Sequence, residues 1–422
     1  GGAKRLAGTA GAGPVAQRVL LLALVPSFAL YGTSSLTPDL LFLAIWLHYL
    51  AVVHAPGFGA RRRDWALAGL LGGLGYLAKA YGFYIFLLHF GLCVLWRLLA
   101  AVPARRRSLL AGAVLGLLVF AACALPWMGV LGSKYGGLPV STSGDYNRAL
   151  FGPDTKGQPM EHLGFLPPVN PWAVSVWEDP SDLPVADWSP LEGAREARHQ
   201  VQLLLKNLQR LALSVVFLNY AALLALPLAA WAVLRRRRGD PWPGEASLLA
   251  AMAIFPAGYL LVWVEMRYVW VTVVAGIVVS VVVAQRWAHG RRSFAALAFA
   301  VVVAGCWVGP LRSLRAEAPL LGGVDPAVAR LAEAASPGQR LAADDRWMAG
   351  IAVAYRLGLR FHGVRGDLGA DQAARTLAEQ GVDWYLAWDP AAAAEAVRWG
   401  WTPLDGAAAD DRMTILRAPA RP

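Results

Sequence analysis

Four ionisable side chains stand where apolar runs begin or end. Asp39 follows Thr37-Pro38 at the head of one run, and Lys79 interrupts the stretch Gly73-Leu74-Gly75-Tyr76-Leu77-Ala78-Lys79-Ala80. Glu265 and Arg267 share the turn Glu265-Met266-Arg267-Tyr268 between two further runs. Ionisable groups at membrane depth or at its boundary are costly and are functional candidates by default. An acid with two cations at one depth suits an anionic lipid headgroup. Lys79 and Arg267 would neutralise phosphate oxygens, and Asp39 would orient a hydroxyl or take part in proton transfer. Each residue also has a plainer role. Asp39 could be a first-turn acid facing its helix dipole, Lys79 could snorkel to the headgroups, and Glu265 with Arg267 could form a surface ion pair. Their placement on one side favours the chemical role. Gly82 is expected to relax the backbone beside Lys79, so that freed amides can face an anion.

A second acidic candidate is Trp177-Glu178-Asp179-Pro180. Glu178 and Asp179 could activate a hydroxyl or hold a divalent cation. Neighbours in an extended segment point to opposite sides and Asp-Pro is common turn chemistry, so a structural role is favoured for the pair. The cysteines, Cys93, Cys123 and Cys306, all lie inside apolar runs without disulfide or metal-ligand spacing, so no metal or disulfide is expected of them.

The elements that must position these residues are membrane helices. Of 422 residues 57% are hydrophobic and 16% charged, with a mean hydropathy of +0.45; soluble domains carry about 25% charged residues. Nine apolar segments can be marked: Val15–Tyr31, Leu36–Val53, Trp65–Leu77, Phe83–Ala101, Ser108–Leu131, Leu211–Leu234, Ala246–Val264, Tyr268–Ala284 and Ser293–Leu311. Most approach the ~20 residues that span a bilayer as helix. Of the 28 acidic residues only Asp39, Asp64, Asp240, Glu245 and Glu265 fall outside Gly132–Arg210 and Ser313–Pro422. The net +11 therefore comes from the apolar part, where Arg61 to Arg63, Arg105 to Arg107, Arg235 to Arg238, Arg286, Arg291 and Arg292 occupy alternate short loops. Such a pattern is a membrane-orientation signal rather than a nucleic-acid footprint. It puts the arginines in the cytoplasm. Asp39, Lys79, Glu265 and Arg267 then share the extracytoplasmic side with Gly132–Arg210 and the tail.

The expected fold is an all-α polytopic bundle of about nine transmembrane helices with a small C-terminal α/β extracytoplasmic domain. Its parts are N-terminal helices (1–131), a large extracytoplasmic loop (132–210), C-terminal helices (211–312) and the α/β domain (313–422). Trp172, Trp177 and Trp188 argue for a loop packed on the membrane surface. In the tail, Arg340–Ala343, Arg360–Val364, Val382–Ala387 and Met413–Leu416 read as strands, and Trp347–Leu357, Asp371–Gln380 and Ala391–Trp399 as helices. No glycine-rich phosphate fingerprint follows these strands, which argues against a nucleotide site there. The opening Gly1-Gly2-Ala3-Lys4-Arg5 reads as neither signal peptide nor helix cap, and the chain is expected to be a fragment.

Three stretches resemble the family 39 membrane glycosyltransferases, the group of bacterial aminoarabinose transferase and protein O-mannosyltransferases. Tyr31-Gly32-Thr33-Ser34-Ser35-Leu36-Thr37-Pro38-Asp39-Leu40 is similar to the family's aspartate at the outer end of an early helix. Gly73 to Ala80 is similar to its lysine-bearing break. Glu265-Met266-Arg267-Tyr268-Val269-Trp270 is similar to its Arg-Tyr turn. The order of elements matches over essentially the whole chain. The resemblance implies a GT-C fold and transfer of a sugar from a polyprenyl-phosphate or polyprenyl-diphosphate donor to a lipid, protein or polysaccharide acceptor outside the cytoplasm, at a bacterial inner membrane. By matching position it makes Asp39 the second functional acid; Glu178 and Asp179, read from the large loop and not from the resemblance, are the further catalytic candidates. The resemblance gives Lys79 and Arg267 the donor phosphate, and leaves Glu265 and Tyr268 as supports. Family members begin with an earlier helix and a first loop carrying the principal acid. That part has no counterpart here, and the chain is expected to be inactive if truncated. No cofactor is implied; the divalent cation raised above for Glu178 and Asp179 is the one candidate.

Two readings compete: oligosaccharyltransferase-like transfer of a preassembled glycan, and a membrane transporter or non-catalytic scaffold. Transporters show internal repeats and charges at the bilayer midplane; here no repeat is seen and the charges sit at one boundary. Asp39, Lys79 and Arg267 are expected to line one pocket of ~300–1,000 Å³.

Overall fold

The computed structural model describes residues 1–34, 37–179, 181, 183–235, 244–288, 291–316, 323–404 and 413–420. Ser35, Leu36, Pro180, Arg236 to Arg238 and Asp240, named above, lie outside the described residues. The chain forms two compact units, Gly1–Ser141 with Gln200–Glu317, and Thr142–His199 with Ala318–Pro422. The first begins with α1 (Gly2–Thr9), α2 (Pro14–Ser34), α3 (Asp39–Val53), α4 (Arg62–Ala78), α5 (Tyr81–Ala100) and α6 (Pro103–Tyr135). Then come α7 (Ser143–Leu150) and α8 (Pro159–His162), and α9 (Ala194–Leu218) runs across the division. The membrane unit resumes with α10 (Ala222–Leu234), α11 (Gly244–Ile254), α12 (Ala257–Leu261), a 3₁₀ turn at Met266–Val269, α13 (Trp270–Trp287) and α14 (Arg292–Ala316). The tail is α15 (Val324–Ala332), β1 (Arg340–Ala343), α16 (Trp347–Leu357), β2 (Arg360–Val364), α17 (Ala370–Glu379), β3 (Trp384–Ala387), α18 (Pro390–Arg398), β4 (Thr402–Pro403) and β5 (Thr414–Arg417).

Among the described residues, six helices are long and apolar enough to cross a membrane, and three shorter apolar helical stretches accompany them. The chain is an integral membrane protein. Two segments are cut differently from the sequence reading. Trp65–Leu77 falls inside α4, which is not among the six. Leu211–Leu234 is the end of α9 plus α10, parted at Asn219. There the Tyr220 amide donates to the Gly305 carbonyl of α14 at 3.1 Å, and the buried Asn219 side chain donates to Ser280 Oγ at 3.0 Å. The break thus exchanges intrahelical bonds for bonds to its neighbours.

α13 is apolar on every side and buried along nearly its whole length, as a helix without a polar face must be. It carries the Met266–Val269 turn at its head. α4 and α6 approach through Gly69 and Gly116, where a Cβ on Gly69 would stand 2.0 Å from the Gly116 oxygen; small residues let membrane helices pack this closely. The opening residues form a helix after all. α1 buries Gly2, Ala3, Leu6 and Ala7, and a Cβ on Gly2 would stand 2.8 Å from Leu47 Cβ of α3. The Gly/Ala composition, which gave no helix signal in the sequence, is what fits α1 against α3.

The second unit holds a five-stranded sheet in the order β2-β1-β3-β5-β4, with β1 parallel to β2 and β3, and β5 antiparallel to β3 and β4. Its strands and helices fall within a few residues of the sequence reading, with α15 and β4 added. The tail does not stand alone. The edge strand β2 is covered by the 158–178 stretch: Phe361 donates its amide to the Val174 carbonyl at 2.6 Å, and Arg360 Nη2 donates to the Asn170 carbonyl at 3.1 Å. An open edge strand otherwise invites mispairing. Trp177 and Trp188 also serve this unit. Trp177 packs 5.5 Å from the Trp347 ring, and Trp188, buried, donates to the Arg148 carbonyl at 2.6 Å; Trp172 is exposed.

Candidate active site

Asp39 opens α3, and its Oδ2 accepts from Thr37 Oγ1 at 2.7 Å. The Lys79 ammonium forms an ion pair with Asp39 Oδ1, with only 18% and 11% of the two side chains exposed. Lys79 is the extended residue at the end of α4, where the helix stops and α5 has not begun. The reason for the break is steric as well as local. A Cβ at Gly82 would lie 2.6 Å from the carbonyl carbon and oxygen of Gly75. Gly82 therefore lets the first turn of α5 press on the α4 backbone. Its φ is not positive, so it does not serve as the relaxed backbone position expected from sequence.

Three tyrosines complete the surroundings. Tyr81 stacks on Tyr259 at 3.8 Å, and Tyr259 on Tyr268 at 5.1 Å. The Lys79 ammonium sits 4.1 Å from the Tyr268 ring centroid and 5.6 Å from that of Tyr259, within the range of cation–π attraction. Arg267 Nε donates to Glu265 Oε2 at 2.6 Å, its Nη2 donates to the Tyr268 hydroxyl at 3.1 Å, and Asp39 and Lys79 lie within its electrostatic reach. The Tyr259 hydroxyl is buried and has no hydrogen-bond partner among the described residues.

The turn bearing Glu265 and Arg267 is held from α9. Asn207 Nδ2 donates to the Leu260 carbonyl at 3.0 Å and its Oδ1 accepts from the Val264 amide at 3.2 Å, while Gln200 Nε2 donates to the Leu261 carbonyl at 2.9 Å. These groups satisfy the backbone where α12 unwinds. The single segment Ala246–Val264 of the sequence reading is thus broken after Ile254, at Pro256 and again at Val262.

The structure brings Asp39, Lys79, Glu265, Arg267 and Tyr268 together and adds Tyr81, Tyr259, Asn207 and Gln200, which sequence reasoning passed over. Pro256-Ala257-Gly258-Tyr259 was the available signal for the α11–α12 break. Glu178 and Asp179 belong to the other unit and serve their own turn: Glu178 Oε1 accepts from the Val174 amide at 2.7 Å, and Asp179 Oδ1 accepts from Ser181 Oγ at 2.5 Å. Among the described residues, the recess that Asp39 and Arg267 share is far smaller than the pocket expected from sequence. Asp39, Arg267, Tyr31, Thr37, Leu40 and Trp270 line a recess of about 10 Å³, room for roughly one water, because the Asp39–Lys79 pair and the aromatic stack fill the space. A groove of about 520 Å³ lies beside the turn instead, lined by Arg210, Leu213, Phe217, Val264 and Met266 among others. Arg210 stacks on Trp263 with its guanidinium carbon 3.4 Å from the ring centroid.

No family model matches the chain, and no curated protein matches it. Solved structures similar to it include two of one protein. ArnT from Cupriavidus metallidurans in the apo state is 14% identical with a TM-score of 0.45, and the same protein bound to undecaprenyl phosphate is 15% identical with a TM-score of 0.47. Each match covers 99% of this chain and 83% of that chain. The functional reading rests on the side chains.

Proposed function

We propose that this chain is a membrane glycosyltransferase that moves a sugar from a polyprenyl-phosphate-linked donor to a hydroxyl-bearing acceptor on the extracytoplasmic side. The observation that carries this reading is the Asp39–Lys79 pair beside Arg267, at a helix break and next to an apolar groove. A carboxylate, two cations and an isoprenoid-sized trough are what the reaction needs in one place.

Both cations are paired at rest, Lys79 with Asp39 and Arg267 with Glu265. Donor phosphate competes for them. As it binds Lys79 and Arg267, the Asp39 carboxylate is released from its counter-ion and becomes a base. The acceptor hydroxyl then attacks the anomeric carbon, the bond from that carbon to the phosphate oxygen breaks, and the hydroxyl proton passes to Asp39. The leaving polyprenyl phosphate stays with the two cations, which stabilise charge where it develops. The apolar groove under Arg210 takes the isoprenoid chain. The Tyr268 and Tyr259 faces border the cations and offer stacking surface for the sugar.

The test is transfer by the purified protein in lipid nanodiscs, with radiolabelled polyprenyl-phosphate sugar and cell-envelope acceptor fractions. Asp39→Asn should retain donor and lose transfer. Transfer at the wild-type rate by Asp39→Asn would remove Asp39 from the chemistry, and failure of the wild type to bind polyprenyl phosphate would overturn the donor class.

A further inference from the structure

A second polar cluster sits at the other end of α3, in the same unit. His89 and Cys93 stand four residues apart on α5, hence on one face, and His54 caps the end of α3. The His54 and His89 rings stack at 5.4 Å and 13°, Cys93 Sγ lies 3.6 Å from His89 Nδ1, and one ligand atom from each of the three residues falls within 4.8 Å of the others. His89 is buried, and His54 Nδ1 is a buried nitrogen without a hydrogen-bond partner among the described residues. The Tyr49 hydroxyl is 3.0 Å from His89 Nδ1. The length of α3 separates this cluster from Asp39 by roughly 22 Å.

We propose that His54, His89 and Cys93 bind one Cu⁺ ion at the arginine-rich end of the bundle. Two imidazoles and a thiolate are a donor set for thiophilic metals; the Tyr49 hydroxyl lies on the same His89 nitrogen as Cys93 and turns away when that nitrogen takes the ion. Around a four-coordinate ion of zinc's size such ligand atoms lie about 3.3–3.6 Å apart, so small side-chain rotations close the site. Charge chooses the ion. Arg97, one turn beyond Cys93, donates to the Val53 and Phe58 carbonyls at 2.9 and 3.1 Å and ties down the chain on both sides of His54. With one thiolate, a monovalent ion makes the centre neutral beside that guanidinium. A divalent ion leaves a second positive charge in apolar surroundings, which is costly. The cysteine that sequence spacing treats as a small hydrophobe thus acquires two histidines from the fold.

The full chain, purified in detergent and stripped of metal, is titrated anaerobically with Cu⁺ against a chromophoric Cu⁺ chelator, and in parallel with Zn²⁺ against a zinc indicator. The wild type should withdraw one equivalent of Cu⁺. Cys93→Ser and His54→Gln should each weaken retention more than about 100-fold, the loss of a direct ligand exceeding the roughly 10–100-fold typical of an outer partner. X-ray absorption of the copper-loaded wild type should show one sulfur and two nitrogen neighbours, a readout that needs no variant to fold. No Cu⁺ withdrawn, retention that survives both ligand substitutions, absence of a sulfur neighbour, or preference for Zn²⁺ would each overturn the proposal.

Discussion

Replacing Lys79 by methionine keeps the side chain's stem and removes its charge, and two consequences can be separated. The first is on stability. Lys79 and Asp39 are almost covered, and stripping one partner from a buried pair typically costs about 3–5 kcal/mol because a charge is left alone. Here Thr37 still donates to Asp39 and the start of α3 still favours an anion. The expected loss is therefore about 1–3 kcal/mol, the cost of an unsatisfied buried group. Asp39→Asn added to Lys79→Met should recover most of it. The second consequence is on the donor. Losing one hydrogen bond to a charged phosphate should weaken polyprenyl-phosphate binding by about 1.5–3 kcal/mol, roughly 10- to 150-fold in Kd. Asp39→Asn alone should act in the opposite direction. A carboxylate left ~4 Å from bound phosphate is opposed by about 4 kcal/mol at an effective dielectric near 20. Removing it should tighten donor binding at least about threefold, a small part of that repulsion. Arg at position 79 should restore only part of the affinity, since its planar fork does not reproduce an ammonium. Binding is read by tryptophan fluorescence or native mass spectrometry in nanodiscs, and folding by thermal melts. Unchanged donor affinity in Lys79→Met would make Lys79 an anchor, and equal weakening by Lys79→Met and Asp39→Asn would refute the counter-ion exchange.

Gly82→Ala should destabilise the membrane unit by about 1–3 kcal/mol, the cost of overpacking; a wild-type melting temperature would mean that α5 does not press on α4 as described. Asn207→Leu leaves the Leu260 carbonyl and Val264 amide without their side-chain partner, and should lower donor affinity more than Gln200→Leu, a comparison made in the same binding assay. In the second unit, burial holds His362 below its ordinary 6.5, with Arg340 and Arg360 reinforcing the shift, while its bond to Gln380 and the nearby Asp383 oppose it. A histidine kept neutral in the fold gives its full stability above about pH 6.5 and loses it as pH falls from there towards the lower folded value. The protection factors of β2 amides, corrected for the intrinsic pH dependence of exchange, should therefore fall between pH 7 and pH 5, and His362→Gln should flatten that dependence.

The membrane helices were legible because long apolar runs have few other uses, and the tail strands because alternating runs were bounded by turn residues. The charged residues were legible because ionisable groups at the ends of apolar runs are costly and stand out. Partnerships were not. Asp39 meets Lys79 across forty positions, and Tyr81 meets Phe255 across more than four times that separation; periodicity carries no information about such pairs. Helix breaks at Asn219 and Val262 were hidden for a related reason, since each is compensated by bonds from another helix. α1 was missed because glycine and alanine, weak signals in isolation, become close-packing residues only when α3 is present. The small recess replaced an expected pocket because opposite charges and stacked rings close a resting site that charge counting draws as open.

The second unit is sewn from two lengths of chain, Thr142–His199 and Ala318–Pro422, with the returning membrane helices between them. At about 5–20 residues per second, the ribosome needs roughly 9–36 s to make the 180 or so residues between position 178 and β2. For that interval the 158–178 stretch waits without β2. Its Val174 and Asn170 carbonyls have nothing to receive, and Trp177 lacks Trp347. The tail, when it arrives, is recruited by a half-built surface rather than folding as a free-standing domain. Removing everything after Arg315 would therefore orphan that waiting half and expose it to proteases and holdases. A truncation meant to isolate the membrane chemistry would be cleaner if it replaced residues 158–178 as well.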